Sequence, residues 1–130
     1  MKLIILILLT FSIGCNQQRN KSIIASNKGK YWDVVKNRNR TFDKPSYCYY
    51  FGSSGDCFYY NYRIEYGKIK RELFKYGDVI YPNTWELKSD TLQIQGFDYL
   101  IKNINEKNIT LQLAGDSSDT LILNISPYPN

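Results

Sequence analysis

The residues that could do chemistry in this chain are few, and the first constraint is an absence: among 130 residues there is no histidine. That removes the commonest general base and the commonest transition-metal ligand. A serine or cysteine nucleophile would then have to rely on a carboxylate or a lysine for activation. The carboxylates fall mostly in turns, as Asp56, Asp90, Asp116 and Asp119, or at outward strand positions, as Glu65 and Glu86. No glycine-rich phosphate loop and no calcium-loop spacing occurs. The expectation is a protein that is not an enzyme and carries neither a metal nor a cofactor.

Three cysteines are present, Cys15, Cys48 and Cys57. The last two flank Gly52-Ser-Ser-Gly55, a hairpin turn signal, and lie on alternating segments rich in tyrosine. One segment alternates Tyr47, Tyr49 and Phe51 with Cys48 and Tyr50. The other alternates Phe58, Tyr60, Tyr62 and Ile64 with Cys57, Tyr59, Asn61 and Arg63. This reading puts both cysteines on the less apolar face, where the register decides between a Cys48 to Cys57 disulfide and two unpaired thiols. A two-residue turn at Gly52-Ser53 sets them directly opposite; a four-residue loop or a Ser54-Gly55 turn offsets them. Stacked aromatic residues could hold a ligand, but they also pack well across strands for structural reasons alone.

These residues are positioned by what reads as an antiparallel sheet. From Thr84 to Ser126 apolar and polar residues alternate in short runs: Trp85 and Leu87, Leu92 and Ile94, Ile109, Leu111 and Leu113, then Leu121, Leu123 and Ile125. Period two places one set on a core face and the other in water. Phe97 to Ile104 is apolar on both faces, which predicts a central strand or one the sheet closes over. Upstream, Tyr31 to Val35 predicts a first strand burying Trp32 and Val34, and residues 36–46 read as a loop. Residues 67–81 read as a short helix or irregular strand. The net charge of +5 is scattered among carboxylates, which predicts a solvated surface and no nucleic-acid partner.

The N-terminus has one charge at Lys2, an apolar run from Leu3 to Leu9, and Thr10-Phe-Ser-Ile-Gly-Cys15. So short a run suits a secretory signal rather than a spanning helix, which needs about 20 residues. Its end resembles the lipobox of bacterial lipoproteins, with Gly14 before a cysteine that the resemblance makes the lipid attachment site. Ser12 departs from the usual leucine there. An ordinary signal peptide or an uncleaved anchor is the alternative. Residues 16–28 are polar apart from Ile23 to Ala25 and predict a disordered tether. The expected organisation is a signal over 1–14, a lipidated Cys15 with its tether over 15–28, and one β domain over 29–130. The Asn-x-Ser/Thr triplets at Asn20, Asn39, Asn108 and Asn124 are chance matches in an asparagine-rich chain.

From Gly29 to Ser126 the order of features resembles the small lipocalin-like domains of Bacteroidetes-type lipoproteins. Gly29-Lys-Tyr-Trp32 is similar to that family's opening strand, Tyr49-Tyr-Phe-Gly-Ser-Ser-Gly55 to its aromatic strand and glycine turn, and Trp85-Glu-Leu-Lys-Ser-Asp-Thr-Leu92 to its tryptophan strand. Tyr99-Leu-Ile and Leu111 to Leu113 match later strands. The resemblance implies an all-β, up-and-down antiparallel meander of about eight strands, a lipocalin-like barrel or half-barrel. An interior of that size is filled by side chains or holds one small ligand. The functional expectation is a lipid-anchored lipoprotein of the cell envelope, on the outer membrane or facing the periplasm, that binds a small hydrophobic molecule or a partner. The expected ligand contacts are Trp32, Tyr60, Tyr62, Trp85 and Tyr99. The alternative is an immunity- or inhibitor-type interaction protein with a filled barrel.

Overall fold

The computed structural model describes residues 14–128. The signal-peptide expectation therefore lies, except for Gly14, outside the described residues. Ten strands form one sheet: β1 (Lys30–Asn37), β2 (Arg40–Thr41), β3 (Tyr47–Phe51), β4 (Cys57–Glu65), β5 (Lys68–Leu73), β6 (Trp85–Lys88), β7 (Thr91–Ile94), β8 (Phe97–Ile104), β9 (Asn108–Leu113) and β10 (Thr120–Ile125). All pairings are antiparallel, in the order β5-β4-β3-β1-β10-β9-β8-β7-β6, with the two-residue β2 beside β1. The sheet is antiparallel, as the alternation predicted, and it curls into a half-barrel, one of the two forms that the lipocalin-like resemblance implied.

The meander buries eight of the ten residues its period assigned to the core, Trp85, Leu87, Leu92, Ile94, Ile109, Leu111, Leu121 and Leu123, and leaves Leu113 and Ile125 half-buried. Trp32 and Val34 join them from β1. Two-residue turns with positive φ, Tyr66-Gly67 and Gln95-Gly96, join β4 to β5 and β7 to β8. Both central residues of such a turn must be left-handed to match the twist of the strands, which is why glycine takes the second place. Strand β8 departs from expectation: its residues are half-buried or exposed, with Phe97 45% exposed on the inner face. Its outward apolar residues, such as Leu100, are not covered by a second layer.

Closure is partial and occurs at one end. Asp56 bridges Thr84, Trp85 N donates to Gly55 O at 2.9 Å, and Cys57 N donates to Asn83 O at 3.0 Å. The start of β6 is thus tied to the start of β4. Farther along, β4 pairs instead with β5, which leaves the curl of the barrel. Residues 74–83 cross the resulting gap without regular structure.

Residues 14–24 are helical, and this overturns the expected tether over residues 16–28. Ile23, Ile24 and Ala25 are buried in the core cluster. The helix is anchored by Trp32, whose Nε1 donates to Ile24 O at 2.8 Å, and by Gln17, whose Nε2 donates to Leu87 O at 3.1 Å. Its polar face stays in water, so the composition of residues 16–22 concealed it. Gly29 then turns the chain into β1 at φ +76°, where a side chain would run into the Tyr50 ring.

The disulfide expectation is also corrected. Phe51 pairs with Cys57 and Cys48 with Tyr60, around a five-residue loop, 52–56. An odd loop makes residues of equal parity share a face, so Cys57 joins Tyr49, Phe51 and Tyr59 inside while Cys48 points to the outer face with Tyr60 and Tyr62. Both are buried free thiols on opposite sides of the sheet. The turns considered from sequence had even lengths, and an offset of one residue inverts every side chain.

Candidate functional site: an aromatic cleft at the open end

The same inversion of β4 decides which tyrosines can meet a ligand. Tyr59, read as outward, lies on the inner face beside Tyr47 and Tyr49. Tyr60 and Tyr62 lie on the outer face. Around the inner set, at the end away from the helix, the half-barrel opens into a cleft of about 790 Å³. Ligand pockets span roughly 300–1,000 Å³, whereas a packing void seldom exceeds a water molecule, so this is a binding-sized space.

Its walls come from several elements. The turn Asn37 to Arg40 between β1 and β2 forms one side of the mouth, and the inner faces of β3 and β4 contribute Tyr47, Tyr49 and Tyr59. Residues 74–83 add Phe74, Tyr76 and Tyr81, and the opposite wall carries Gln95, Phe97, Tyr99 and Asp119. The rings form a continuous series. Tyr47 and Tyr59 are stacked at 5.5 Å with planes 9° apart, Tyr59 and Tyr76 at 6.3 Å with planes 22° apart, and Tyr76 meets Tyr81 edge-on at 4.6 Å.

Burial governs the electrostatics here. It pushes the hydroxyls of Tyr49 and Tyr59 well above the ordinary tyrosine range, and those of Tyr76 and Tyr99 up to about 12. All four are neutral donors near pH 7. Tyr76 donates to Gln95 Oε1 at 2.9 Å, and Arg38 Nε pairs with Asp119 Oδ2 at 3.2 Å. Arg40 stands over the Phe42 ring at 5.2 Å.

Of the five residues expected to contact a ligand, Tyr99 alone lines the cleft. Trp32 and Trp85 are plugs at the closed end. Trp32 is fully buried beneath the helix, and Trp85 donates from Nε1 to Gly52 O at 2.8 Å with its ring edge-on to Phe51. Tyr60 packs outside against Tyr31. Tyr62 belongs to a polar cluster on that outer face: its hydroxyl donates to Asp33 Oδ1 and lies 2.9 Å from Ser126 Oγ. Arg71 stacks over Tyr31 at 3.8 Å and donates to Ser126 Oγ and Tyr128 O.

This outer cluster holds the buried carboxyl of Asp33 and the buried Cys48 thiol, but its polar contacts run within the chain and fasten residues 126–128 to the sheet. Burial raises the Cys48 thiol above its ordinary value, the reverse of what a nucleophilic cysteine needs. Among the described residues no group of three or more His, Cys, Asp or Glu could hold a metal ion. Cys15 is exposed in the first turn of the described helix.

The cleft residues missed from sequence had one available signal, the aromatic run of Tyr47, Tyr49, Tyr59, Phe74, Tyr76 and Tyr81, but it required the correct parity of β4. Comparison with protein-family models, curated proteins and solved structures finds no match to this chain.

Proposed function

We propose that this protein is a binding module that holds a small, largely apolar molecule in the aromatic cleft, and that it is not an enzyme. The observation that carries this is the cleft itself, a space of about 790 Å³ walled by aromatic rings, left open while the tryptophans fill the other end. A filled interior would have favoured the alternative of a pure interaction protein. Anchoring to the cell envelope through a lipid on Cys15 is part of the proposal and rests on the leader sequence.

Native mass spectrometry of the chain isolated without denaturation from the cell that makes it should show one small molecule per chain. The adduct should vanish in Leu113→Trp, which fills the cleft from its wall. An empty wild-type protein, or an adduct retained by the filled variant, would count against the reading.

A second reading has one observation in its favour. The β4–β5 hairpin exposes Ile64 (77%), Tyr66 (97%) and Ile69 (41%) at its tip, an apolar surface suited to a protein partner.

A further inference from the structure

We propose that the ligand of the cleft is a planar, unsaturated anion rather than a neutral molecule or a flexible acyl chain, an inference that rests on the cleft being a binding site. The shape argument comes from ring geometry. Tyr47, Tyr59 and Tyr76 stack on one another along one wall, and Tyr99 and Phe97 stand on the opposite wall. A lining of such rings meets a further flat ring edge-on or offset, and contact of that kind is worth more than the area it buries. A flexible chain would gain only area and would lose more rotational freedom on ordering.

The charge argument comes from counting donors against acceptors. The hydroxyls of Tyr49, Tyr59 and Tyr99 make no side-chain hydrogen bond among the described residues. Held neutral by burial, each can donate one hydrogen bond as well as accept. The strongest acceptors on the walls are already engaged, Gln95 Oε1 by Tyr76 and the Asp119 carboxylate by Arg38. Asn37 and Asn39 add a donor and an acceptor each at the mouth. Among the described residues Arg38 and Arg40 stand there against the one lining carboxylate, that of Asp119, and Arg40 is engaged with the face of Phe42. An acceptor-rich, negatively charged edge on a flat body would meet both features: rings on its faces, donors and guanidinium groups at its rim.

Two fluorescent probes of nearly equal shape separate these features. 1-Anilinonaphthalene-8-sulfonate carries a charge that N-phenyl-1-naphthylamine lacks. The full chain should bind the sulfonate at one saturable site at least about tenfold more tightly than the neutral probe, a preference lost in high salt. Arg40→Gln, at an exposed position, should abolish the preference without lowering the melting temperature, and Arg40→Lys should restore part of it.

Palmitate should displace the sulfonate at least tenfold less effectively than naphthalene-1-sulfonate does. Equal affinities for the two probes, or a preference that survives in Arg40→Gln, would overturn the anionic assignment. Displacement by palmitate on a par with the naphthalene sulfonate would overturn the planar one. Absence of saturable binding by either probe would overturn the reading of the cleft as a binding site, and this inference with it.

Discussion

Asp33 carries a charge that its surroundings disfavour. It sits on β1, 2% exposed, and burial lifts its carboxyl above the ordinary value of 3.8. The hydrogen bonds from Tyr62 and Ser126 and the positive field of Arg71 draw it only part of the way back. A carboxyl with a raised folded-state pKa holds its proton to higher pH in the native state than in the unfolded chain. Its stabilising contribution is therefore complete below 3.8 and is lost as pH rises through the folded value. Asp33→Asn keeps an acceptor for Tyr62 but removes the charge. In urea titrations, wild-type stability relative to Asp33→Asn should fall as pH increases from 3.8 toward neutrality. A difference that is flat across that window, or that grows with pH, would contradict this assignment.

At the scale of elements, the helix over residues 14–24 turns a sheet with an open end into a closed one. Ile24 is completely buried and its carbonyl receives the Trp32 indole. Truncating such a side chain removes its transfer energy and leaves a cavity. Ile24→Ala should cost about 2–5 kcal/mol. In a disordered tether the same change would cost nothing, so thermal or urea unfolding discriminates cleanly.

The helix also marks where sequence reading stops. Its apolar contribution is three consecutive residues, Ile23 to Ala25, too few to show a 3.6-residue period above a polar background. Strands β6, β7, β9 and β10, by contrast, each repeat their alternation two or three times, and all were legible. The cleft was only partly so. Tyr99 was named through the lipocalin-like resemblance, since its strand, apolar on both faces, carries no alternation to orient it. The face taken by Tyr59 depended on the odd length of loop 52–56, and Phe74, Tyr76 and Tyr81 lie on or beside a connection with no period at all.

For the molecule as a whole, the two ends of the half-barrel differ in how they are held. The closed end has the helix, both tryptophans and the ladder joining β4 to β6. The open end is crossed by residues 75–82, whose backbone makes one hydrogen bond among its own members, from Val79 N to Tyr76 O at 3.4 Å, and which is otherwise held by ring contacts and by the Tyr76 hydroxyl on Gln95. Local opening follows sparse hydrogen bonding. In hydrogen-exchange experiments the amides of 75–81 should exchange within the earliest time points, while those of Trp32, Val34, Leu111 and Leu123 should be protected longest. Occupation of the cleft should slow the first group and leave the second unchanged. Slow exchange across 75–81 in the empty protein would show the crossing segment to be held by more than its rings.

Partial closure has a further consequence, for behaviour at high concentration. Because β5 departs from the curl, one of its sides is an unpaired row of backbone donors and acceptors, the kind of rim on which sheets from different molecules can join. Lys68, Lys70 and Glu72 occupy alternate positions along that row, with Lys70 paired to Glu65 and Arg63 to Glu72 across the hairpin. Two copies laid rim to rim would have to strip water from these charged side chains before any backbone bond formed. The rim strand is thereby blunted against polymerisation by the cost of desolvating its charges.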